Sequence, residues 1–221
     1  MPKILFLGTA GTIDAIAKTG KSSSSIYLES EKILIDPGPG TLLKLAQNNI
    51  GIGEIKKILL SSDDLIKNND LSAIRSLNHD IKIIDKDDDV IKIIKTKNNQ
   101  NAFIIKTTKY ILSFIPEHDF HKKQLEEFKD TNVFIINCLD EFDKKFLLTV
   151  IEEISPELVI LTGFGMKIIK QDPLEFSRMI KKELKAEHLM KTQIIPAKEE
   201  MVLNTDHYNI KLKQKSLDGF V

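Results

Sequence analysis

Two rhythms divide the chain. Up to about residue 115 the apolar residues fall in short, β-branched runs separated by turn residues; beyond it, apolar strands alternate with stretches of helical period. Lys3 to Leu7 predicts a first strand, closed by Gly8-Thr9-Ala10-Gly11-Thr12. The polar stretch Lys18 to Ser25 predicts a loop. Ser25 to Glu29 and Lys32 to Ile35 predict a hairpin, and Asp36-Pro37-Gly38-Pro39-Gly40 stops its second strand in a stiff turn. A short helix is expected over Thr41 to Gln47, a strand over Ile55 to Leu60 and a helix over Asp70 to Leu77. Four further strands are expected at Ile81–Ile84, Val90–Lys95, Ala102–Thr107 and Tyr110–Ile115.

After Ile115 the order becomes helix (His121 to Phe128), strand (Val133 to Cys138), helix (Phe142 to Ile154) and strand (Leu158 to Thr162). Asp172-Pro173-Leu174-Glu175 carries an acidic cap, a first-position Pro and a third-position Glu, and predicts a helix running to about Leu184. Short strands are expected at Gln193–Ile195, Met201–Leu203 and Tyr208–Lys213. Strands first, then strands alternating with helices, suit an α/β arrangement of two mixed sheets packed together with helices on both outer faces.

Composition narrows the function classes. The chain has 221 residues with 42% hydrophobic content, consistent with one domain spanning 1–221. Charged residues balance to a formal net charge of +0, which gives no global attraction for nucleic acid, although nucleic acid stays open as a partner. No apolar run approaches the ~20 residues that span a bilayer, so no membrane role is expected. The lone Cys138 sits in an apolar strand, reads as a buried inert thiol, and fits a cytoplasmic location. Gly20-Lys21-Ser22 lacks the earlier Gly of a phosphate-binding loop, since Ala15 stands there. Asp85 to Asp89 reads as a solvated turn.

Several frames together resemble the metallo-β-lactamase superfamily, in particular its small single-domain members. They are the opening Ile4-Leu5-Phe6-Leu7-Gly8-Thr9, the Asp36-Pro37-Gly38 strand end, and the frame from Leu60 to Leu71. Further matches are the strand around Asn98, Ser113-Phe114-Ile115-Pro116-Glu117, the segment Pro156 to Lys167, and Ala197-Lys198-Glu199-Glu200-Met201. The resemblance implies the αββα sandwich fold. It also implies a hydrolytic metal centre whose ligands should follow the strand at Leu60. The ligand positions of that pattern are occupied here by Ser62, Asp64, Ile66, Lys67, Asn98, Glu117 and Gly163. Ile66 has no donor atom, Gly163 no side chain, and Lys67 would repel a dication. Only Asp64 and Glu117 keep carboxylates.

The expectation is therefore a vestigial metal site, with no metal, no cofactor and no catalytic residue assigned. The chain would act as a binding or assembly module whose partner is unknown, a protein or a catalytic relative being the expected kind. The alternative is a divergent hydrolase, phosphodiesterase- or nuclease-like, using Asp64 and Glu117 with a hard metal ion. Glu117-His118-Asp119-Phe120-His121 is a second place where ligands cluster. Lys67 is expected either to bridge Asp64 and Glu117 as a surrogate for the metal, to stand in an open, wet cleft, or to bind an anionic ligand there.

Overall fold

The computed structural model describes residues 3–117, 120, 122–186 and 191–208; the apolar runs become two six-stranded sheets. The first holds β1 (Lys3–Phe6), β2 (Ile26–Leu28), β3 (Ile33–Ile35), β4 (Lys57–Leu59) and β5 (Lys82–Ile84). The second holds β6 (Ile91–Lys95), β7 (Asn101–Lys106), β8 (Ile111–Ile115), β9 (Val133–Asn137), β10 (Leu158–Thr162) and β11 (Gln193–Pro196). The last strand, β12 (Met201–Asn204), returns to the first sheet beside β1, giving the order β12-β1-β2-β3-β4-β5. Both sheets are mixed. In the first, β3, β4 and β5 run parallel; in the second, β8, β9, β10 and β11 do.

The strand period of two sorts side chains between three layers of core. Ile4 and Phe6 of β1, Ile33 and Ile35 of β3, Val133 and Ile135 of β9, and Leu158 and Ile160 of β10 meet between the sheets. The intervening residues point outward. Leu5, Leu34 and Ile58 pack under Leu45 and Ile74 of the helices at Thr41–Gln47 and Leu71–Leu77; Phe134, Ile136, Val159 and Leu161 pack under those at Lys144–Ile154 and Pro173–Ala186. The helices are α1 (Ile13–Thr19), α2 (Thr41–Gln47), α3 (Leu65–Asn68), α4 (Leu71–Leu77), α5 (Lys122–Leu125), α6 (Lys144–Ile154), α7 (Met166–Gln171) and α8 (Pro173–Ala186). Strands buried on both faces read as continuous apolar runs, which is why β9 and β10 lack alternation.

Three sequence expectations shift. Ile13 to Thr19 is a helix that the pattern did not mark; Thr12 caps it by accepting the Ala15 amide at 3.2 Å. Residues 166–171 form α7 ahead of the expected helix at Pro173. Tyr208 ends a 3₁₀ turn, Thr205–Tyr208, rather than opening a strand, and the rest of Tyr208–Lys213 lies outside the described residues.

Candidate functional site

The loops that follow β3, β4 and β10 meet at one end of the sandwich. Asp36 leaves β3 with φ +52, a left-handed conformation that Asp tolerates, and its side chain is wholly buried. Its carboxylate accepts the Ser61 amide at 2.7 Å on Oδ1 and the Ser61 hydroxyl at 2.6 Å on Oδ2. The Lys67 ammonium stands 3.4 Å from Oδ2, and Lys67 is only 7% exposed. Burial pushes the Asp36 carboxyl above the ordinary carboxylate value; the Lys67 charge and the Ser61 donors pull against it. Ser61 itself is fixed from the second sheet, because its carbonyl accepts the Asn101 amide at 2.7 Å.

Gly38 explains how the pair forms. A Cβ there would collide with the Ile66 carbonyl, so α3 lies directly on the Asp36-Pro37-Gly38 turn. Asp70 adds a tie from each of its ends: its amide donates to Pro37 at 3.0 Å and its carboxylate accepts the Leu42 amide at 2.9 Å. Gly40 precedes α2 as its N-terminal boundary. The turn thus holds α3 against β3, and Lys67, on the third residue of α3, reaches down to Asp36.

The other expected positions disperse. Ser62 donates its hydroxyl to the exposed Asp64 at 2.8 Å. Ile66 is partly buried on α3. Glu117 accepts the Thr96 hydroxyl at 2.9 Å and the Asn98 side-chain amide at 3.2 Å. The expected bridge from Lys67 to Asp64 and Glu117 is therefore replaced: Lys67 is neither in open solvent nor between those acids, but paired with Asp36. His118, Asp119 and His121 lie outside the described residues, while His79 and His207 are exposed.

Gly163 follows β10 with φ +56, and a Cβ would strike the Asn137 side chain. Asn137, at the end of β9, is 1% exposed and occupies the room beside position 163. The Ser24 hydroxyl donates to its Oδ1 at 3.2 Å and lies 3.4 Å from the Thr162 hydroxyl. Neither Asn137 nor the Asp36 partnership was singled out by sequence. The signal for Asn137 was a polar residue closing an otherwise apolar strand.

No family model and no curated protein sequence matches the chain. Solved structures do. The metallo-β-lactamase fold protein YhfI from Bacillus subtilis superposes with a TM-score of 0.73 at 13% identity, over 92% of this chain and 99% of that one. This chain has the metallo-β-lactamase fold. Human tRNase Z, short form, matches at TM-score 0.65 and 12% identity, over 91% of this chain and 98% of that chain. A diphosphatase of the PhnP family matches at 0.64 and 10%, over 96% and 100%. Identities this low carry the fold and nothing finer.

A zinc centre in a metallo-β-lactamase fold needs nitrogen and carboxylate donors around one point. The residues at the positions that the sequence resemblance assigns to ligands do not fit that need. Lys67 brings a buried positive charge, Ile66 an apolar side chain, and position 163 is closed to any side chain by Asn137. Ser62 and Asn98 are engaged with Asp64 and Glu117. Among the described residues, no three of the His, Cys, Asp and Glu side chains gather where they could hold a metal ion.

Proposed function

We propose that this is a catalytically inactive metallo-β-lactamase-fold protein, one domain over residues 1–221, that works in the cytoplasm as a binding or assembly module. In this reading Ser62, Asp64, Ile66, Lys67, Asn98, Glu117 and Gly163 are vestigial positions of a metal site, and the Asp36–Gly40 turn is structural. The observation that carries it is the Lys67–Asp36 pair. An ammonium buried 3.4 Å from a buried carboxylate supplies, from within the chain, a positive charge at a position where the resemblance places a ligand. The coupling of Gly163 to Asn137 supports the same reading, since the space for a ligand side chain has been filled by a neighbour.

Metal content tests it. The purified protein is exposed to Zn²⁺, Mn²⁺ and Mg²⁺, desalted, and analysed by mass spectrometry. Less than about a tenth of an equivalent of any metal is expected. About one equivalent or more, lost on Asp64→Ala or Glu117→Ala, would overturn the reading and restore a hydrolase using those carboxylates.

A further inference from the structure

A cavity of about 340 Å³ opens between the β1–α1, α1–β2, β10–α7, α7–α8 and β11–β12 connections, and none of the seven vestigial positions lines it. Its volume lies at the lower end of the range for small-molecule sites, roughly 300–1,000 Å³. Its walls are mostly apolar: Phe164, Ile169, Leu174 and Ala197 contribute, with Leu174 exposed at 39%. Two cations, Lys21 and Lys198, line the same cavity.

The walls are tied rather than merely adjacent. The Phe164 amide donates to the Thr9 carbonyl at 2.8 Å, the Gly11 amide to the Phe164 carbonyl at 2.9 Å, and the Ala197 amide to the Leu161 carbonyl at 2.8 Å. The segments that carry the lysines are tied to each other as well. The Ser22 amide donates to the Glu199 carboxylate at 2.6 Å, which clamps the Lys21–Ser22 segment to the Lys198–Glu199 segment and brings both lysines to one cavity. Neither ammonium has an ion-pair partner among the described residues. The acid of the lining, Asp172, caps α8: its Oδ1 accepts the Leu174 amide at 2.9 Å.

We infer that this cavity binds a small amphipathic carboxylate, its apolar body against Phe164, Ile169, Leu174 and Ala197 and its carboxylate against Lys21 and Lys198. An anion at an opening lined by two ammonium groups gains a charge-assisted hydrogen bond from each. A bare inorganic anion would leave the apolar walls wet, whereas an apolar body releases that water. The inference goes beyond the loss of the metal site. The cavity would bind whether or not a metal could sit near Lys67, so the two measurements fail separately.

The test is a ¹H–¹⁵N NMR titration of the full chain with butyrate, hexanoate, octanoate and decanoate, with octanol as the uncharged body and inorganic phosphate as the bare anion. Saturable shifts are expected at the amides of Phe164, Ile169 and Ala197, with affinity rising along the chain series. Octanol and phosphate should each bind at least about tenfold more weakly than octanoate, a difference of about 1.4 kcal/mol. The Lys21→Gln/Lys198→Gln double variant should lose octanoate affinity by a similar factor, and Lys21→Arg/Lys198→Arg, which keeps both charges, should retain it. No saturable shift at those three amides would overturn the inference. So would phosphate or octanol binding as well as octanoate, or a charge-neutral double variant that binds unchanged.

Discussion

Replacing Lys67 by Met should be among the most destabilising substitutions of any lysine in the chain. At 3.4 Å and an effective dielectric constant of about 20, the attraction between Lys67 and Asp36 is of the order of 5 kcal/mol before desolvation is counted. Taking both groups out of water offsets much of that, so the pair contributes little net stability, but breaking it leaves an uncompensated buried charge. Asp36 keeps its two Ser61 donors in Lys67→Met, which places the cost at the low end of the usual range, about 3 kcal/mol. Asp36→Asn should cost about as much, because it strands the ammonium. The double variant removes both charges and should lie within about 1 kcal/mol of the parent. Urea unfolding followed by circular dichroism at neutral pH measures all three, provided the slope against denaturant is unchanged.

A pH series separates charge from packing in the same variants. Without Lys67 the Asp36 carboxyl is raised further, so its protonated form is favoured in the fold. For a carboxyl raised in the folded state, the contribution to stability is present below its unfolded value and is lost as pH rises through the folded value. The gap between Lys67→Met and the double variant should therefore close as pH falls. Costs that simply add across the cycle, with an interaction energy below about 1 kcal/mol, or a gap independent of pH, would refute the ion-pair account.

Three other expectations can be checked quickly. Gly163→Ala should destabilise by more than 2 kcal/mol, roughly the left-handed penalty plus the clash, and Asn137→Ala in the same chain should recover part of it; thermal melts of the single and double variants decide this. The Cys138 thiol is wholly buried and pushed well above its ordinary value by burial, so it should react with a thiol reagent only on unfolding; the labelling rate with and without urea measures this. Burial raises the phenols of Tyr27 and Tyr110 above the ordinary 10.0, so each holds its proton to higher pH in the fold than in the unfolded chain. Stability should fall as pH rises past about 10, and a spectrophotometric titration should ionise these two phenols at higher pH in the folded chain than in urea.

The layers of this fold were legible because apolar period and turn chemistry agree along most of the chain. Thr41–Gln47 and Leu158–Thr162 emerge with the very limits that their patterns predict. The helix at 13–19 escaped because its signals are terminal, a Thr cap and a following Gly, while its body Ile13-Asp14-Ala15-Ile16-Ala17-Lys18-Thr19 buries only Ala15 and so carries almost no periodic stripe. The wiring of the singled-out positions was not legible. The order of residues around Lys67 carries the resemblance that singles the position out. It does not carry the pairing with Asp36, because the contact joins residues 31 apart through a turn whose geometry is set by Gly38 lying under the Ile66 carbonyl. The same holds for Asn137 and Gly163, which neighbouring parallel strands bring together with no local pattern linking them. The order of residues along the chain thus marks a position, while the partners of its side chain lie in contacts across the sheet. The partner side chains, Asp36 and Asn137, are those a search confined to the positions singled out by the resemblance would pass over.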